Sequence, residues 1–208
     1  MKTFLLFTAK IIGSFVFKIY FRLEVSGTRN IPKTGPFILA ANHTSFLDPP
    51  LIGYICPRAL HYFARATLFR NKFFGGLIRL LGAFPAEKQL GVSAVRQGLK
   101  ILSLGQGLLI FPEGTRSRDG KLSSPLPGVG FLALKSGASV VPIYIKGAYQ
   151  AYPPGARFIK PAKIKVIVGS PVKFTCGDYR TIGKKIMGLI AGLEATTLEN
   201  GQTKSCLV

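Results

Sequence analysis

The residues best equipped for chemistry fall in two short segments. The first is Asn42-His43-Thr44-Ser45-Phe46-Leu47-Asp48, followed by Pro49-Pro50. A histidine can take a proton near physiological pH. A carboxylate on its other ring nitrogen would fix the tautomer and stabilise the imidazolium. His43 and Asp48 are five positions apart, and same-face neighbours on a helix are three or four apart. The two can therefore meet only if His43 sits on a loop and Asp48 opens the following helix. Pro49 favours that arrangement, because the residue before a proline avoids helical angles and proline suits a first helical turn. The plainer readings are a helix cap for Asp48 and an ordinary loop histidine for His43.

The second segment is Phe111-Pro112-Glu113-Gly114-Thr115-Arg116-Ser117-Arg118, directly after an apolar run. Gly114 allows close backbone approach to an anion. Arg116 carries a fork suited to phosphate, and Thr115 and Ser117 add hydroxyls. Glu113 can accept from a substrate hydroxyl or brace Arg116. A solvated turn is the bland alternative. The segment is not a phosphate-binding loop of the GxxxxGK type, and the chain has neither a GxSxG elbow nor a GxGxxG fingerprint.

The elements that must position these residues alternate. Apolar runs predict strands at 22–25, 37–41, 60–64, 82–85, 108–111, 140–145 and 164–168. Helical patterns cover 50–55, 67–80, 91–104, 129–136 and 179–198. Alternation of this kind predicts an α/β fold, a mostly parallel seven-stranded sheet flanked by helices. In such sheets ligands bind beyond the carboxyl ends of strands, where both segments fall. Residues 200–208 read as a frayed end.

Composition narrows the partners. The 208 residues carry 28 Lys and Arg against 8 Asp and Glu, a net charge of +20, yet 48% are apolar. So apolar a chain is not disordered. Grease combined with positive charge suits an anionic membrane surface or an anionic substrate. The rival class is a basic nucleic-acid-binding protein, but no reader motif is present and the cations are dispersed. Cys56, Cys176 and Cys206 form no CxxC pair and read as reduced thiols in a cytoplasmic setting. With His43 and His61 the only histidines, no metal site is expected.

Residues 3–21 are apolar but interrupted by Lys10 and Lys18. A spanning helix needs about 20 mostly apolar residues, and a central lysine costs about 2.5–3.5 kcal/mol. The reading is a membrane-interface helix over 1–21, its lysines and Arg22 reaching headgroups, followed by a catalytic domain over 22–208. The segment 63–79 mixes aromatics with Arg65, Arg70, Lys72 and Arg79. It reads as a second membrane contact, the wall of an apolar tunnel or a core helix with a basic outer side.

Together the two chemical segments resemble the NHxxxxD and FPEGTRS blocks of the glycerolipid acyltransferases. Residues 81–88 (LGAFPAEK) resemble the intervening block, with Lys88 where the family usually has Arg. Val140-Val141-Pro142-Ile143 resembles the fourth block. The likeness runs from about residue 24 to 170 and is nearest to bacterial-type 1-acyl-sn-glycerol-3-phosphate acyltransferases. It implies His43 as general base, Asp48 as its orienting partner, and Glu113, Gly114, Thr115 and Arg116 around the glycerol phosphate. Arg65 and Lys88 stand at further phosphate-binding positions. The family has a Lys shortly before the glycine after the third block, where this chain has Leu126-Pro127. The implied reaction moves an acyl group from an acyl-carrier protein or CoA thioester to lysophosphatidate, without a resident cofactor. Glycerol 3-phosphate or another lysophospholipid is the alternative acceptor. Phospholipid biosynthesis at the cytoplasmic face of a membrane, by a peripheral or monotopic enzyme, is the implied setting.

Overall fold

The computed structural model describes residues 13–86 and 91–202. Its centre is a seven-stranded sheet. The strands are β1 (Glu24–Ser26), β2 (Phe37–Ala41), β3 (Leu60–Arg65), β4 (Ala83–Ala86), β5 (Gly107–Ile110), β6 (Ser139–Lys146) and β7 (Lys165–Val168). Their spatial order is β1-β7-β6-β2-β5-β3-β4. All neighbours pair in parallel except β6 and β7. The expected mostly parallel sheet is therefore present, with all seven strands at their expected places.

The helices are α1 (Asp48–Ile55), α2 (Lys72–Leu80), α3 (Val92–Ser103), α4 (Gly128–Ser136), the single turn α5 (Ala148–Ala151) and α6 (Tyr179–Gln202). Parallel strands joined through a helix cross over right-handedly. The β2–α1–β3 and β3–α2–β4 connections step one way across the sheet, so α1 and α2 lie on one face. The β4–α3–β5 and β5–α4–β6 connections step back, so α3 and α4 lie on the other.

Two cores result. On the first face Leu51 and Ile52 of α1 meet Phe37, Leu39, Leu109, Val141 and Ile143. On the second, Ile38, Leu108 and Ile110 meet Ile101, Leu102, Leu132 and, from α6, Ile182, Ile186 and Ile190. All five residues of β2 are buried, as an uninterrupted apolar strand between two helical layers must be. At the strands' amino ends Arg58 donates to the carbonyls of Pro32, Gly35 and Gly105 and lies over the Phe37 ring.

Three expectations change. The single helix over 67–80 is broken. A short turn (Ala66–Phe69) is followed by Asn71 in extended backbone, whose side chain caps α2 by accepting from the Phe74 amide. The last helix continues to Gln202, past the expected frayed start at residue 200. The turn α5 was not legible in the sequence. Of the expected amino-terminal helix, the part before residue 13 lies outside the described residues. From Gly13 it is helical, widening into a π turn over Phe15–Tyr20. Phe17 and Phe21 enter the first core beside Tyr54, while Phe15 and Ile19 are exposed. Among the described residues no helix is long and apolar enough to cross a membrane.

The second layer depends on close approach of α4 to α6. Gly130 is buried there, and a Cβ on it would overlap the Tyr179 carbonyl of α6. Overpacking of this kind costs about 1–3 kcal/mol. Gly130→Ala should lower unfolding stability by about that amount, read from a urea denaturation curve.

Candidate active site

The strands β2 and β5 are neighbours, but the chain leaves them toward opposite faces. Such a reversal opens a crevice at the carboxyl ends of the two strands. The His43 segment leaves β2 there and the Glu113–Arg116 segment leaves β5.

The first loop is held from three sides. Asn42, buried, donates to the Ile145 carbonyl at 3.0 Å and accepts from the Ile145 amide at 2.7 Å. Its side chain thus ties the end of β2 to β6. Asp48 is fully buried and opens α1, with Pro49 and Pro50 in the first turn. Its Oδ2 accepts from the Thr44 amide (2.7 Å), the Ser45 amide (2.8 Å) and His43 Nδ1 (2.9 Å). One carboxylate oxygen therefore both folds the loop and sets the imidazole. Ser45 Oγ donates to the Tyr152 carbonyl at 2.8 Å, fixing the far side of the loop.

The second segment grips the first through its backbone. The His43 amide donates to Glu113 Oε1 at 2.9 Å, and the Ser117 amide donates to the His43 carbonyl at 2.8 Å. The His43 ring stacks on Phe111, with centroids 3.9 Å apart. Glu113 Oε2 takes the Ser123 amide and hydroxyl at 3.1 and 2.9 Å. Both Glu113 oxygens thus hold backbone and loop, and neither braces Arg116. Burial raises the Glu113 carboxyl above its ordinary pKa, and the hydrogen bonds from His43 and Ser123 pull the other way.

Arg116 leans over the Phe46 ring, its guanidinium carbon 3.4 Å from the ring centre. Its Nη1 is buried and has no hydrogen-bond partner among the described residues. Burial first, and the like charge of Arg65 second, push its pKa below the usual arginine value. The guanidinium thus holds a buried donor without a partner and feels the like charge of Arg65. Such a group can donate to an anion.

The other expected residues divide. Gly114 has a left-handed backbone (φ 68°), and a Cβ would overlap Leu126. Only glycine fits that turn. Its amide, however, donates to the Phe111 carbonyl at 3.0 Å, so it is committed to the turn and does not face an anion. Thr115 is exposed on the rim of an open cavity of about 430 Å³ with Arg116, Arg118 and Lys121. Lys88 lies outside the described residues. Sequence reasoning missed Asn42's clamp, the Phe111 stack, the Phe46 seat and Ser123. Phe46 carried a signal, as an aromatic three residues after His43; Ser123 carried none. Among the described residues no cluster of His, Cys, Asp and Glu could hold a metal ion.

A histidine held by a buried carboxylate, with the unpartnered Arg116 guanidinium at the same strand-end crevice, can remove a proton from a hydroxyl on an anionic molecule. Residues 22–146 match the family model of the acyltransferases, and the chain belongs to that family. It is 32% identical over 153 residues to the 1-acyl-sn-glycerol-3-phosphate acyltransferase of Bacillus subtilis, covering 72% of this chain and 73% of that one. A chloroplast 1-acyl-sn-glycerol-3-phosphate acyltransferase of Arabidopsis thaliana is 27% identical over 83% of this chain, which spans about half (49%) of the plant protein. The crystal structure of PlsC, the 1-acyl-sn-glycerophosphate acyltransferase of Thermotoga maritima, superposes with a TM-score of 0.80 at 29% identity, covering 94% of this chain and 81% of PlsC.

Removing the Glu113 carboxylate leaves the His43 amide without its acceptor, while the amide of the exposed Ser123 can turn to water. A buried group left without its partner costs about 1–3 kcal/mol. Glu113→Leu should lose that much stability in urea denaturation. Ser123→Ala, which deletes one hydroxyl donor, should lose less.

Proposed function

We propose that the protein transfers a fatty acyl group from an acyl-carrier protein or CoA thioester to the free hydroxyl of lysophosphatidate, forming phosphatidate. The observation that carries this reading is the His43–Asp48 bond at 2.9 Å beside Arg116, whose buried Nη1 is unsatisfied. The names of the Bacillus and Thermotoga relatives support the acceptor.

With Asp48 ionised and accepting at Nδ1, the proton sits on Nδ1 and the lone pair on Nε2. His43 Nε2 takes the proton of the acceptor hydroxyl as its oxygen attacks the thioester carbonyl. The tetrahedral intermediate collapses, the C–S bond breaks, and the proton passes from the imidazolium to the departing thiolate. No acyl-enzyme is needed. General base action contributes about 10²–10⁴-fold, and the alignment of two bound substrates contributes the remainder. The Asp48 carboxylate holds the ring in place for this step. Arg116 and Arg65 bind the acceptor phosphate, with Thr115 at the rim and Lys88 a further cation for it. Glu113 and Gly114 act by shaping the loops. The tetrahedral oxyanion is stabilised by donors other than the Gly114 amide, which the Phe111 carbonyl occupies. The enzyme works at the cytoplasmic surface of a membrane, where lysophosphatidate and the thioester donors meet.

Acyl transfer in mixed micelles tests the reading, with lysophosphatidate, glycerol 3-phosphate and neutral lysolipids offered in parallel to each donor. Phosphatidate should form from lysophosphatidate. Formation on another acceptor alone would move the assignment, and no transfer from either donor would sink it. His43→Ala should lower kcat at least about 100-fold; a loss under threefold would remove His43 as the base. Arg116→Ala should raise the lysophosphatidate KM about 10–100-fold, the worth of a hydrogen bond to a charged group, while the donor KM stays within twofold.

A further inference from the structure

The helix α2 is amphipathic the wrong way round for a core helix. Its buried residues are Gly75 and Ile78, with Gly75 close against the Phe69 backbone. The larger apolar side chains Phe73, Leu77 and Leu80, spaced four and three apart, run along the exposed side, with Phe74 beside them. Phe73 is 87% exposed. Arg70, Lys72 and Arg79 surround this stripe, and no carboxylate occurs between Asp48 and Glu87. Among the described residues the stripe is exposed and its flanking charges are cations, the pattern of a helix that lies in an anionic lipid surface. A second copy of the chain is a poor occupant. A nine-residue helix is about 14 Å long and falls far short of the roughly 800 Å² per partner that a stable dimer buries.

The neighbouring surface agrees. By the handedness of its crossover α2 lies on the α1 side of the sheet. The exposed Phe15 and Ile19 belong to the segment whose Phe17 packs into that same side. Tyr20 donates to the Ile159 carbonyl, which places the exposed Phe158 and Ile159 next to that segment. Lys18, Arg22, Arg157 and Lys160 accompany them in sequence. The opposite side is closed by α3, α4 and α6.

We propose that α2 is an interfacial docking helix, which inserts Phe73, Leu77 and Leu80 into the acyl boundary of an anionic bilayer and so turns the α1 side of the sheet toward the lipid. Because α2 starts seven residues after Arg65 at the end of β3, docking it would bring the crevice to the surface that holds a lipid acceptor. This deepens the proposed function by naming the surface that meets the substrate's bilayer. Its primary readout, the entry of an indole into the bilayer, needs no turnover.

The chain contains no tryptophan, so single substitutions report on their own surroundings. Phe73→Trp and, as reference on the far side, Leu104→Trp would be mixed with vesicles of phosphatidylcholine alone or with 30% (about one lipid in three) phosphatidylglycerol. With the anionic vesicles the indole emission of Phe73→Trp should shift to the blue and be quenched by brominated acyl chains, while the reference stays unchanged. In sedimentation, the double variant Phe73→Ser/Leu77→Ser should partition onto the same vesicles at least tenfold more weakly. Its activity on short-chain monomeric substrates should match the parent protein, which shows that the fold and the crevice survive. Equal partition of the double variant and the parent would overturn the proposal. So would a blue shift of the reference alone, or equal binding to neutral and anionic vesicles. A change from dimer to monomer with unchanged vesicle binding would assign the stripe to a second copy and overturn it too. Should the micelle assay fail while the indole of Phe73→Trp still enters the bilayer, the docking helix stands and the acyl-transfer reading falls.

Discussion

The backbone of His43 is held by the segment that follows a different strand. Its amide reaches Glu113 and its carbonyl receives the Ser117 amide, so two loops 70 residues apart become one unit. Neither loop is regular secondary structure, and both cross the rim of the sheet, where ladder bonds end. A loop without partners would leave buried amides unsatisfied. Here each loop satisfies the other, and the His43 ring sits at the join. The stack on Phe111 and the bond to Asp48 then remove its remaining freedom of rotation.

That join depends on the order of strands. β2 and β5 are adjacent only because the chain travels outward through β3 and β4 and then returns between β2 and β3. The return places Phe111 and Glu113 beside the His43 segment and sends the two following helices to opposite faces. Uncommitted space appears where those paths diverge. The same topology puts the carboxylates to structural use. Asp48 and Glu113 are buried and accept several donors each, which few exposed side chains could do. On the surface the cations outnumber the remaining carboxylates, of which Glu24, Asp119 and Asp178 are exposed.

The charge distribution follows a related logic. A chain of net charge +20 repels itself when it is compact. Arg116 feels this repulsion, seated on Phe46 and lowered in pKa by burial and then by the like charge of Arg65. An aromatic face can hold a guanidinium without neutralising it. The charge therefore stays available to an anion, and an Asp in place of Phe46 would have cancelled it.

Much of this was legible in the sequence. The apolar runs of β2, β5 and β6 marked the central strands, because residues buried on both faces leave no polar interruption, whereas β1 is exposed along its whole length. The five-residue gap from His43 to Asp48, with Pro49 behind it, implied a loop meeting a helix start, since no regular helix brings such a pair together. The helix break at Asn71 was not legible: asparagine can cap or continue, and only its bond to the Phe74 amide decides. The role of Glu113 was equally open. A carboxylate can serve a substrate, an arginine or a backbone amide, and its neighbours in sequence do not distinguish them. The choice is made by residues far along the chain, His43 and Ser123, brought to its two oxygens by the return of β5 into the sheet. Local sequence determined which chemical groups the protein owns and which segments are strands. Tertiary structure alone decided which of those groups are occupied by the fold, because a hydrogen-bond acceptor is claimed by whichever donor the packing brings within reach.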